Sequence, residues 1–119
     1  MLFDTTQLAL QRAMEGSNLR QQVLSSNLAN VNTPGYRRQD VDFHSALAGA
    51  LRASDPTAAV SSAALPTSVD TTSVTRADGS SVDVDAESAK LSANGLEYEQ
   101  LAAAAKTRLD ILRSAMGVG

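Results

Sequence analysis

All three prolines, Pro34, Pro56 and Pro66, fall in the middle of this 119-residue chain. They leave two long end stretches with no residue that forbids helix. The first runs from about Asp4 to Val31 and is interrupted only by Gly16. Its apolar residues recur at helical spacing (Phe3, Leu10, Met14, Leu24, Leu28, Val31), with Gln7, Ser17 and Gln21 in the gaps. A seven-residue repeat with a polar middle suits a helix that meets several partners weakly better than one tight coiled coil. Asp4, Thr5 or Thr6 is expected to cap its start. The second stretch, about Asp85 to Met116, repeats Val84, Leu91, Tyr98, Ala105 and Leu112 every seven residues, flanked by Ser88, Gly95, Ala102, Leu109 and Met116. Asp83 or Asp85 caps it, Glu87 suits its first turn and Arg113 its last. At 1.5 Å per residue it is about 45–50 Å long. Gly95 costs a helix about 1 kcal/mol relative to Ala, so its small size is expected to serve close packing.

Aromatic residues make up only 3% of the chain, with no Trp. Aromatics supply the largest buried areas of ordinary cores, so thin helix-to-helix packing and a marginal free monomer are expected. The net charge of -3 is spread evenly: residues 1–31 are neutral, 36–82 carry -1 and 83–119 carry -2. No segment has the basic footprint that nucleic acid or an anionic membrane requires. The absence of Cys excludes disulfides and thiolate metal sites. No apolar run approaches the roughly 20 residues of a membrane span, and no basic, then apolar, secretory signal opens the chain. Cytoplasmic synthesis without membrane insertion is expected.

Between the end helices, Pro34 disfavours helix at Thr33, and Asn32 tolerates a left-handed cap. Pro34-Gly35 has the order of a type II turn. A short helix is expected over about Phe43 to Arg52, capped by Asp42, with Phe43, Leu47, Ala50 and Leu51 on one face. Residues 53–82 are rich in Ala, Ser, Thr and Val and hold a single Leu. They read as a flexible loop, with a small hairpin around Ala77-Asp78-Gly79-Ser80 between Val74 and Val82. The expected fold is all-α: two long terminal helices paired as a coiled coil. The organisation is an N-terminal helix and turn (1–36), a short helix and loop (37–82) and a C-terminal helix (83–119), both ends forming one domain.

Catalysis finds no support. His44 is the only histidine, and beside Phe43 it reads as a structural or surface residue. There is no nucleophile pair, zinc set or glycine-rich phosphate loop. Asp40 with Asp42, and Asp83 with Asp85 and Glu87, lack the frame of a calcium loop; helix capping explains them. No catalytic residue, cofactor or metal is expected. Arg37-Arg38 reads either as a solvated pair or as an ion-pair contact with an acidic neighbouring subunit. The informative block is Ser25-Ser26-Asn27-Leu28-Ala29-Asn30-Val31-Asn32-Thr33-Pro34-Gly35-Tyr36. Asn is a poor helix former, and Asn27 and Asn30 share a face, which suggests hydrogen bonds across an interface.

This block closely resembles the N-terminal signature of the flagellar axial proteins (rod, hook and hook-associated), near-completely over Ser26 to Tyr36. The continuation from Arg37 to Phe43, and the stretch from Val82-Asp83-Val84-Asp85 through Leu91, Tyr98, Lys106 and Leu112-Arg113, look most like the proximal rod members. The resemblance covers about 1–52 and 82–116. It implies a structural subunit of the bacterial flagellar basal body rod, exported unfolded through the type III channel without signal cleavage. Such subunits assemble on the membrane ring as a helical tube that transmits torque for motility. Expected partners are other rod proteins, the membrane-ring or rod-adaptor proteins, and copies of the chain itself. Leu10, Met14, Leu24, Leu28, Leu91, Tyr98, Ala105, Leu109 and Leu112 are expected to pair the helices. Asn27, Asn30, Asn32, Thr33, Pro34, Gly35 and Tyr36 are expected to set the bend and the subunit contacts. The alternatives are another axial protein of the same family, or a cytoplasmic coiled-coil adaptor or export chaperone.

Overall fold

In the computed structural model, which describes residues 2–117 with side chains from residue 5 onward, the chain ends form the two long helices expected of them. They are α1 (Leu2–Ala29) and α4 (Val84–Ala115). The side chains of Phe3 and Asp4, and residues Val118 and Gly119, lie outside the described ones. Between the long helices come β1 (Gln39–Val41), α2 (Phe43–Leu51), α3 (Pro56–Ser62) and β2 (Thr67–Val69). Four helices and one two-stranded sheet make the fold mostly α among the described residues.

α1 begins upstream of Asp4, Thr5 and Thr6, so those residues lie within the helix rather than capping it. The other caps fall where side-chain oxygens meet free N–H groups. Asp42 accepts from Ser45 N and caps α2, and Asp83 accepts from Asp85 N (2.9 Å) and Ala86 N (3.2 Å) and caps α4. α1 ends without a left-handed Asn32, since among the described residues only glycines have positive φ. The Pro-Gly turn does form: Gly35 sits at φ +76°, and Tyr36 N donates to Thr33 O at 3.2 Å.

Residues 53–82, expected to be a loop, are instead folded onto the rest. Asp55 caps α3 by accepting from Ala58 N, Pro56 opens the helix, and Val60 is fully buried. Cap and proline at these positions are a helix-start signal. Val60 enters the core, Ala63 and Leu65 pack against it, and hydrogen bonds between the Thr5 and Thr57 hydroxyls and from Arg12 to Ala63 O tie the segment to α1. β2 pairs antiparallel with β1, with Gln39 opposite Val69 and Val41 opposite Thr67. The hairpin expected around Ala77–Ser80 forms only its turn (Arg76 N to Ser80 O, 2.7 Å), without strands. That turn seats on the Pro-Gly turn: Gly35 N donates to Asp78 O at 2.8 Å. Gly79, at φ +85°, lies so close to Gly35 that a Cβ on it would stand 3.1 Å from the Gly35 Cα.

The apolar core is small and lies to one side of α1. Val41, Phe43, Leu47 and Val60 form it, with Leu8, Ala13, Leu19 and Val23 of α1 packed against it. Gly16 allows this approach, because a Cβ there would come within 2.6 Å of the Phe43 Cβ and Cγ. Gly95, expected to serve close packing, has no atom within 4 Å of the corresponding position. α4 packs antiparallel along a neighbouring face of α1, with Asn94 beside Ser17 and Glu87 beside Asn27. The molecule is elongated, measuring 61 × 33 × 14 Å with a radius of gyration of 17.6 Å. A compact domain of this length would have a radius of about 13.5 Å.

Candidate assembly site: the helix seam and the signature turn

The seam between α1 and α4 is polar at its most buried points. Asn94 Nδ2 donates to Ser17 O and to Gln21 Oε1, both at 2.8 Å, while Ser17 Oγ donates to Asn94 Oδ1 at 3.2 Å. One heptad along α4, Glu87 is 1% exposed and accepts from Asn27 Nδ2 at 3.2 Å. Asn27 also brackets β1: its Nδ2 donates to Gln39 O (2.7 Å) and its Oδ1 accepts from Gln39 N (3.0 Å). Its Oδ1 further accepts from the Tyr36 hydroxyl at 3.3 Å.

The buried Glu87 is neutralised from the middle of the chain. Arg38, 3% exposed, donates through Nε to Glu87 and through Nη1 to Asp70 Oδ2 at 2.5 Å; its Nη2 lies 3.3 Å from Asp40 Oδ2. Arg20 of α1 completes the cluster with two hydrogen bonds to Asp40, at 2.7 and 3.2 Å. Burial works against the Arg38 charge, but Glu87 and Asp70 outweigh it and hold the guanidinium above its ordinary pKa. Burial likewise favours neutral Asp40, yet the Arg20 hydrogen bond leads the effects that keep its carboxyl below the usual range. Asp70 is held low chiefly by the hydroxyls of Ser73 and Thr72, with the Thr72 N–H. Arg38 is therefore neither a solvated residue nor free to reach a neighbouring subunit, as both sequence readings of the pair had it. Its neighbour Arg37 is exposed and donates to Thr75 Oγ1 at 2.9 Å.

Of the residues expected to pair the helices, Leu24 is fully buried, and Leu10, Met14, Leu28, Leu91, Ala105 and Leu112 are half-buried. Tyr98 and Leu109 are exposed within the single chain. The inward line of α4 is Glu87, Asn94, Leu101 and Arg108, one residue before the flank Ser88, Gly95, Ala102 and Leu109. Sequence reasoning missed that line because its two most buried members are polar; their seven-residue spacing was the available signal. The signature residues divide. Asn27 and Tyr36 enter the buried network, whereas Asn30 works locally, donating to Ser26 O (2.8 Å) and accepting from the Thr33 hydroxyl (3.2 Å). Asn32 and Pro34 are exposed. His44 stacks on Phe43, with centroids 4.1 Å apart, and pairs with Glu97 of α4. Among the described residues no group of three His, Cys, Asp or Glu is placed to hold a metal, and no helix is long and apolar enough to cross a membrane.

The segment that builds this seam and turn, residues 8–37, matches the family model described as flagella basal body rod protein. Over a longer span the chain is 33% identical to the flagellar basal body rod protein FlgB of Salmonella typhimurium, covering 82% of this chain and 85% of that protein. The chain belongs to the FlgB family. It is 31% identical to FlgB of Escherichia coli K12, over 95% of this chain and 99% of the relative. FlgB of Bacillus subtilis is 27% identical over 99% and 98%. The E. coli and B. subtilis alignments span nearly the whole chain, so FlgB-type sequence reaches beyond the signature helix into the middle segment and α4. As a FlgB-family member the chain is a structural component of the flagellar basal body rod.

Proposed function

We propose that this chain is a subunit of the proximal rod that assembles with copies of itself and with other rod proteins into a helical tube carrying torque. Its folding unit is a single coiled-coil domain formed by both chain ends. It is made in the cytoplasm, exported unfolded through the flagellar type III channel without signal cleavage, and seated in the periplasmic part of the basal body against the membrane-ring or rod-adaptor proteins. Within the family assignment, the observation that carries self-assembly is the outer face of α4. Ser92, Leu96, Ala103, Thr107, Ile111 and Ser114 line it at helical spacing and all are exposed, Leu96 by 61% and Ile111 by 58%. None of these six carries a charge over about 33 Å of helix, although Glu99 and Asp110 edge the same stripe. A helix that stayed in water would ordinarily not expose two large apolar residues such as Leu96 and Ile111 on its outer face. Tyr98 and Leu109 are also exposed, but on another side of α4, flanking the inward line beside α1. A heterologous contact that does not close builds a filament.

The test is fractionation of cells with and without the flagellar export apparatus. The chain should co-purify with basal bodies only when export operates, and its deletion should abolish swimming. Recovery as a discrete folded dimer in the cytoplasm of swimming cells, absent from basal bodies, would instead support an adaptor or export chaperone.

A further inference from the structure

Apolar packing alone does not say where along α1 the second long helix should sit. The second half of α4 contains the run Ala102-Ala103-Ala104-Ala105, and small identical side chains offer nearly equivalent packings when one helix slides along the other. Two polar anchors on α4 remove that freedom. Asn94 engages Ser17 and Gln21, and Glu87 engages Asn27. The two anchors differ in what they need. Asn94 is satisfied by α1 alone, whereas Glu87 is a buried carboxylate and needs a cation. No Lys or Arg of α1 or α4 is among the partners of Glu87.

Its cation is Arg38, and Arg38 is held by the segment 70–83. Asp70 Oδ2 accepts from Nη1, Arg38 N donates to Ser81 Oγ at 2.8 Å, and Asp70 N donates to Arg38 O at 2.9 Å. The same segment ties down the end of α1: Ser81 N donates to Tyr36 O at 2.9 Å, Gly35 N to Asp78 O, and Arg76 to Val31 O. Residues 70–83 thus lie across the signature turn as a strap whose far end runs directly into α4. We propose that closure of this strap over Arg38 commits the two terminal helices to one antiparallel register, with Arg38 as the positioning residue. With the strap open, Glu87 has no fixed counter-charge, and burying it against Asn27 is unfavourable. Helix formation then precedes register, and the chain can remain unpaired until the strap seats. The inference deepens the assembly reading but does not depend on it, since it concerns the chain alone.

The chain has no cysteine, so engineered pairs report cleanly. In the purified full chain, Ser17→Cys with Asn94→Cys reports the native register and leaves the Glu87 anchor in sole control. Ser17→Cys with Leu101→Cys, combined with Asn94→Ala so that this anchor is absent here too, reports a slip of one heptad. On oxidation the native pair should form disulfide predominantly. Adding Arg38→Ala should lower the ratio of native to slipped crosslink by about tenfold or more, on the scale of an unpaired buried carboxylate. Asp70→Ala with Ser81→Ala should shift the ratio the same way by less. Glu87→Gln placed in the Arg38→Ala background should recover part of it, because the buried charge is gone. A ratio unchanged by Arg38→Ala overturns the proposal, as does a fall in both crosslinks together, which would make Arg38 a general stability residue.

Discussion

The two sides of α1 are built by different chemistry. Toward α2, β1 and α3 it meets Phe43, Val41, Leu47 and Val60, an apolar cluster with Gly16 cut away to admit Phe43. Toward α4 the most buried side chains are Ser17, Asn27, Glu87 and Asn94 beside a single fully buried leucine, Leu24. The apolar side gains free energy from area removed from water, which is non-directional. The polar side gains little net free energy per hydrogen bond, but a wrong register leaves buried groups unsatisfied. One face therefore stabilises the chain and the other specifies its arrangement. The face along which the two terminal helices pair is the specified one.

The sharpest way to break this comparison is to injure each side in turn. Phe43→Ala should cost about 3–5 kcal/mol, a large part of the stability of a chain this small, read as a drop in the denaturant midpoint. On the polar side, Arg38→Met combined with Glu87→Leu should cost far less or even stabilise, because a buried ion pair replaced by packed apolar groups is often neutral. Its penalty should appear in register rather than in stability. A double variant as unstable as Phe43→Ala would mean that the ion pair holds the fold together.

Acid should separate the sides next. Asp40 and Asp70 both titrate lower in the folded chain than their ordinary value of 3.8. Their stabilisation is complete above about pH 4 and is lost as the pH falls through the folded values. Helicity followed between pH 6 and 2 should therefore fall at the low end. Asp40→Asn with Asp70→Asn should flatten that dependence while lowering stability at neutral pH. An unchanged acid limb would remove these two carboxyls from the account.

The smallest expected effect is at Gly95, where a methyl group meets no atom within 4 Å. Gly95→Ala should raise the melting temperature of the isolated chain slightly, by up to about 1 kcal/mol of helix propensity. A drop would place an unseen close contact there.

The long helices, the Asp42 and Asp83 caps and the Gly35 turn were legible because each rests on local chemistry: spacing, a capping oxygen, a glycine after proline. The middle of the chain was not. Its low apolar content read as disorder, yet Val60 enters the core with Ala63 and Leu65 packed against it, and Asp70 organises its surroundings through Thr72, Ser73 and Arg38. Residues such as Arg38 and Glu87 carry no sequence mark of burial, because it arises from pairing between positions 49 residues apart. Leu109 and Tyr98 show the converse. Their heptad spacing is real, but nothing in spacing says whether the partner lies in the same chain or a neighbouring one.

We expect the chain to close its own helices through the polar seam and to keep the exposed stripe of α4 around Leu96 and Ile111 for neighbours. Leu96→Glu tests this most directly, with swimming, basal-body incorporation and the thermal melt of the purified chain measured on one variant. Expected are a melt like that of the unaltered chain, because Leu96 is exposed there, and loss of incorporation and of swimming. Normal incorporation and swimming with a glutamate at that position would contradict it.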